Sequence, residues 1–184
     1  AWQEDFQSGT AYGWTVEPWG SLDPFGQVSV IASPYSDTRA LRIYVQTSGT
    51  GFYVYPNPEK NFDYAAFTVV VRTGPGSDVS WVYLLSEDKT TLCSFSIPNL
   101  NSQRVEIVRD GTTAYLYVNG VQQGSGVACG GQPYNLRFLV NTGSAGSTTV
   151  RIDDVVIGTG EPGILGIIPE GWYVLEHPTI PANS

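Results

Sequence analysis

Apolar and polar residues alternate along much of this chain, at the spacing of a strand. In Leu41-Arg42-Ile43-Tyr44-Val45-Gln46, the apolar residues Leu41, Ile43 and Val45 fall on one side. Phe67, Val69 and Val71 do the same within Phe67-Thr68-Val69-Val70-Val71-Arg72. Successive strand side chains point to opposite faces, so a period of two predicts strands with one face in a core. Leu136-Arg137-Phe138-Leu139-Val140 and the segment 150–157 are further strands. Trp81-Val82-Tyr83-Leu84-Leu85 is apolar on both faces, which predicts an interior strand. Turn chemistry separates these runs: Ser48-Gly49-Thr50-Gly51, Thr73-Gly74-Pro75-Gly76 and Asn141-Thr142-Gly143. No segment sustains helical periodicity.

The clearest local pattern is a meander over residues 103–123. Arg104 to Arg109 forms a strand with Val105 and Ile107 on one face. Asp110-Gly111 supplies a tight turn, because both residues tolerate positive φ. The chain returns from Thr113 to Val118, with Tyr115 and Tyr117 opposite Leu116 and Val118. Asn119-Gly120 turns it again, and Val121-Gln122-Gln123 opens a third strand. Glu161-Pro162-Gly163 then marks a change of character. Residues 1–160 read as one all-β sandwich, and 161–184 as a Pro-rich C-terminal tail or linker.

Composition agrees with many short strands. The 184 residues are 41% hydrophobic, enough for one domain with its own core, and the 21 Gly and 12 Pro are dispersed without period. Lys occurs only as Lys60 and Lys89, and the arginines form no basic stripe. The formal net charge of −8 would repel a phosphate backbone, so nucleic acid and anionic membrane are poor partners. No apolar run approaches the ~20 residues that span a bilayer. Cys93 and Cys129 fit either two thiols or one bond. The acidic, Lys-poor, Tyr- and Thr-rich composition suits an extracellular or cell-surface setting, where a disulfide between them is expected. The lone His177 and the lack of a CxxC argue against a zinc site. The chain starts at Ala1 without Met, which suggests a removed leader or a larger parent protein.

The order of motifs adds to this picture. Glu4-Asp5-Phe6-Gln7-Ser8-Gly9 is followed by Gly13-Trp14-Thr15 and Trp19. Ala40-Leu41-Arg42-Ile43 and the segment 67–72 come next. Val105-Glu106-Ile107-Val108-Arg109-Asp110-Gly111 leads into Tyr115-Leu116-Tyr117-Val118-Asn119-Gly120, and Ile152-Asp153-Asp154-Val155-Val156-Ile157 closes the set. The series resembles the concanavalin A-like lectin and glucanase superfamily in its laminin G-like form, over about residues 4–158. A second resemblance, to jelly-roll carbohydrate-binding modules, shares the opening and closing motifs. Both imply an antiparallel jelly roll of two stacked sheets.

Three kinds of site can be sought on such a fold. Retaining glycosidases of this fold use an E-x-D-x-x-E strand, and that pattern is absent here. Glu87 and Asp88 are adjacent and read as a solvated turn, and a triad through His177 would need the tail to fold into a cleft. The expectation is therefore no catalytic machinery. A structural Ca²⁺ is implied by the resemblance to calcium-stabilised modules, with Asp5, Asp153 and Asp154 as its carboxylates near the joined ends of the sandwich. The bland reading of the Asp pair is a loop hydrogen bond or exposure to water.

Sugar sites stack aromatic faces against rings and fix hydroxyls with polar groups. Tyr53 and Tyr55 share a strand face and are the better surface candidates. Trp81 and Tyr83 share another, although core packing is the default for Trp81. Trp19, after Pro18, reads as exposed. The sequence thus points to a non-catalytic extracellular module that binds glycan or polysaccharide, or mediates adhesion. The alternatives are a domain that contacts a neighbouring surface protein in an assembly or filament, and a polysaccharide hydrolase or lyase on the same fold.

Overall fold

A computed structural model describes residues 2–4, 14–19, 26–32, 39–46, 49–56, 61–73, 79–97, 100–141 and 148–158. Thirteen strands run through these residues: β1 Trp2–Glu4, β2 Thr15–Trp19, β3 Gly26–Ala32, β4 Arg39–Val45, β5 Gly51–Tyr55, β6 Tyr64–Thr73, β7 Val79–Leu85, β8 Thr91–Ile97, β9 Leu100–Asp110, β10 Thr113–Val118, β11 Val121–Ala128, β12 Asn135–Asn141 and β13 Thr148–Gly158. The proposed tail 161–184, with His177, and the N-terminal motif from Asp5 onward lie outside the described residues.

The strands form two antiparallel sheets. The larger has eight strands in the order β11-β10-β9-β6-β13-β4-β3, with β1 also paired to β13. The smaller has five, in the order β2-β5-β12-β7-β8. Strands distant in sequence are neighbours in both, as when β5 and β7 flank β12. The single Pro within a described strand, Pro18, sits on edge strand β2, where a missing N–H is tolerated.

Alternation decides what the sheets enclose. Leu41, Ile43, Phe67, Val105, Ile107 and Ile152 face inward from the larger sheet. Val54, Val82, Leu84, Leu136, Phe138 and Val140 meet them from the smaller. Phe138 lies edge-on to Phe67 at 5.0 Å between ring centroids and stacks on Trp14 at 6.3 Å, which ties the layers at their centre. The Cys93–Cys129 disulfide is present, with Cα atoms 5.1 Å apart. It links β8 of the smaller sheet to the end of β11, the edge of the larger one.

The expected meander is β9-β10-β11. Asn119 and Gly120 both have positive φ, 48° and 81°, as a tight hairpin of this hand requires. Asn119 Oδ1 accepts the Arg104 N–H at 2.9 Å, and its own N–H donates to the Arg104 carbonyl at 2.8 Å. The first turn is displaced by one residue from the sequence reading. Asp110 pairs with Thr113, so Gly111 and Thr112 form the loop.

The closing strand contains a bulge. Register against β6 shifts between Asp153 and Val156, and Asp154 takes a φ of 48°. The extra residue resets the alternation, so Val155 and Ile157 reach the same core as Val150 and Ile152. An Asp suits this place because short polar side chains tolerate the left-handed region. Asp153 Oδ1 accepts the Asp154 N–H at 2.8 Å, and Arg104 donates to the Asp154 carbonyl at 2.8 Å.

Candidate functional site

The core-facing positions of β12 are Leu136, Phe138 and Val140, so Asn135, Arg137, Leu139 and Asn141 lie on the outer face of the five-stranded sheet. Register then fixes their neighbours. Leu139 stands opposite Tyr53 of β5 and Trp81 of β7. Arg137 stands opposite Tyr83. Glu17 of β2 pairs with Tyr53, and Trp19 pairs with Gly51 at the end of the face. The candidate residues Trp19, Tyr53, Tyr55, Trp81 and Tyr83 therefore share one face. Two aromatic pairs that looked separate in the sequence meet there because β12 comes between their strands.

Arg137 organises the centre. Its guanidinium carbon lies 4.1 Å from the Tyr53 ring centroid, 4.6 Å from Tyr83 and 5.9 Å from Tyr55. These cation–π contacts come from strands on both sides of β12 and hold the guanidinium among the rings. At the rim, the Tyr55 hydroxyl donates to Glu17 Oε2 at 2.8 Å. Burial raises the Tyr55 phenol above its ordinary value, opposed by the Arg137 hydrogen bond and reinforced by Glu17. Burial also raises Tyr83, with Tyr53 adding and Arg137 opposing. Both phenols are thus kept as neutral donors at physiological pH.

The floor of the face is partly apolar. Leu139 is only 4% exposed although it points away from the main core. Beside it are polar atoms that the fold leaves unsatisfied. Arg137 Nε, Asn135 Nδ2 and Asn141 Oδ1 are buried without a hydrogen-bond partner. Such groups cost free energy where they stay unpaired. Trp81 and Tyr83 lie 6.5 Å apart between ring centroids, tilted by 35°. Trp81 is half-buried on this outer face, in place of the core packing taken as its default.

Sequence reasoning missed Arg137. Its signal was present: a lone charge on one face of an otherwise apolar strand. Among the described residues, Glu17 is the one carboxylate on the outward strand positions of this face. Glu87 and Asp88 lie in the β7–β8 turn, as expected. There Asp88 accepts the Ser86 hydroxyl and the Thr90 N–H, which together hold its carboxyl below the usual range. Asp153 and Asp154 are buried in the bulge of the larger sheet, away from the aromatic face, and Asp5 lies outside the described residues. Among the described residues no cluster of three or more acidic, His or Cys side chains is placed to hold a metal.

At the level of sequence the chain matches no protein-family model and no curated protein. Its architecture does have solved counterparts. A glycoside hydrolase family 16 endo-glucanase from Bacteroides ovatus superposes with a TM-score of 0.58 at 11% identity, over 85% of this chain and 99% of that one. A sialidase gives the same TM-score and identity, but this chain spans only 18% of its length. A galectin-like protein from Bacillus subtilis gives 0.50 at 9% identity, over 84% and 96% of the two chains. At such identities the likeness is one of fold. The two stacked antiparallel sheets, with these superpositions, give the chain the fold of a concanavalin A-like jelly-roll sandwich.

Proposed function

We propose that the outer face of the five-stranded sheet binds glycan, within a non-catalytic extracellular module of a larger surface or secreted protein. One observation carries this reading: Trp19, Tyr53, Tyr55, Trp81 and Tyr83 surround Arg137 on a single face that the core does not use. Ring faces stack on the C–H surfaces of sugars, and the tyrosine hydroxyls and the half-buried Arg137 among them suit hydroxyl groups. The glucanase of the same fold acts on glucan, which is support by analogy of fold alone.

The non-catalytic part rests on the carboxylates. Retaining hydrolysis needs two carboxyls roughly 5–5.5 Å apart, and Glu17 stands alone on the described strands of this face. The Cys93–Cys129 bond favours an oxidising compartment. No helix among the described residues is long and apolar enough to cross a membrane. The Asp153–Asp154 pair reads better as a charge-compensated bulge than as a Ca²⁺ site. Arg104 donates into the bulge, and both carboxylates act on its charge, so a cation there would meet a guanidinium. A protein-interaction role has two exposed apolar side chains in its favour, Val16 at 44% on edge strand β2 and Val121 at 63% on edge strand β11. Gly124 and Gly126, at φ 75° and 92°, distort that edge against pairing with a further strand.

Affinity electrophoresis through a panel of soluble polysaccharides tests the reading. At least one polysaccharide is expected to retard the protein. Tyr83→Ala is expected to weaken that binding about tenfold while the melting temperature holds, since one aromatic contact is worth roughly 1 kcal/mol or more. Migration unchanged by every polysaccharide would remove the proposal.

A further inference from the structure

The charge at the centre of this face says more about its ligand. Among the described residues no carboxylate forms an ion pair with Arg137, in contrast to Arg109, whose Nη1 donates to Asp63 at 2.8 Å. The Glu17 carboxylate accepts the Tyr55 hydroxyl at 2.8 Å in place of an ion pair with Arg137. The three tyrosine rings offset part of the charge but accept no strong hydrogen bond. Arg137 Nε is buried and unpartnered. Among the described residues this half-buried guanidinium thus has no direct carboxylate partner, in a protein of net charge −8.

We propose that the glycan bound here is anionic, carrying a carboxylate or sulfate group that docks on Arg137; this rests on the glycan-binding reading above. The anion supplies what Arg137 lacks. It accepts charge-assisted hydrogen bonds from a guanidinium that stacking has already oriented, so little side-chain freedom is lost on binding. The aromatic rings to either side, Tyr53 towards β2 and Trp81 with Tyr83 towards β8, take the flanking sugar faces. The acidic surface works in the same direction as a filter. It disfavours polyanions in general, so an anionic chain is retained only where a specific cation meets it.

The test uses matched pairs of polymers on the intact protein, measured by affinity electrophoresis and isothermal titration. Polygalacturonate is compared with its methyl ester, and dextran sulfate with dextran. The expected result is at least tenfold tighter binding to the charged member of one pair; the pair that responds distinguishes carboxylate from sulfate. Arg137→Gln is expected to abolish that preference, and Arg137→Lys to keep only part of it, because an ammonium keeps the charge without the planar fork. Equal or tighter binding of the neutral members would overturn the anionic assignment and leave glycan binding intact. Binding of none would overturn both. The comparison of charged with neutral polymers on the native protein stands even where an Arg137 variant misfolds.

Discussion

Gly51 marks the tightest approach beneath the aromatic face. A Cβ built there would lie 2.2 Å from the Val140 carbonyl oxygen and 2.7 Å from the Asn141 Cα, both backbone atoms of the neighbouring strand. Neither can swing aside as a side-chain tip could. Gly51→Ala is therefore predicted to push β5 from β12 and lower stability by about 1–3 kcal/mol, read as a fall in melting temperature. On the opposite side of the molecule, Tyr64 donates to the buried Glu106. Burial, with Glu106 adding, raises the Tyr64 phenol far above its ordinary value. The sign follows from linkage. The folded state holds the proton when the unfolded state has released it, so this contribution is intact below the free phenol pKa of 10.0 and is lost as pH rises above it. Urea titrations from neutral to strongly alkaline pH should show stability falling above about 10, with a shallower fall in Tyr64→Phe. At this scale the sequence was informative about side-chain type and less so about company. Tyr53, Tyr55 and Tyr83 were visible as strand aromatics, but nothing local placed Arg137 among their rings.

Strands and turns were far more legible. The periods of β4, β6, β12 and β13 and the Asn119-Gly120 turn follow from backbone sterics and alternation, which are properties of short segments. Pairing is different in kind. Whether Trp81 faces the core or the outside depends on which side of β7 the other sheet covers, and a strand apolar on both faces holds no record of that. The bulge at Asp154 was equally hidden, because Val150-Arg151-Ile152-Asp153-Asp154-Val155-Val156-Ile157 reads as continuous strand. The disulfide offers a test at the level of elements. Cys93 faces the core, while Ser94 and Ser96 of the same strand pair with Tyr83 and Trp81 on the outer side. Replacing both cysteines by alanine is predicted to cost about 2–4 kcal/mol of stability, because the bond closes a chain separation of 36 residues. Binding on the outer face should be unchanged at temperatures well below the new melting point.

For the whole molecule, the two faces of the sandwich divide the work. The larger sheet carries satisfied polar clusters, such as Arg104 with the Asp154 carbonyl and Tyr64 with Glu106, and these stabilise. The smaller sheet carries aromatic rings gathered around Arg137 on its outer face. The same division predicts the response to calcium. Adding Ca²⁺ to chelator-treated protein should leave the melting temperature unchanged; a rise of several degrees would restore the Asp5, Asp153 and Asp154 site suggested by family resemblance. The central claim concerns place, that ligand lands on the outer face of the five-stranded sheet. Its most direct test is NMR mapping of backbone amide and indole signals during titration with an oligosaccharide of the retarding polymer. Shifts are predicted to concentrate on β5, β12 and β7 and on the indole N–H of Trp81. Shifts gathered on β6, β9 and β13, with those strands of the smaller sheet silent, would contradict the account.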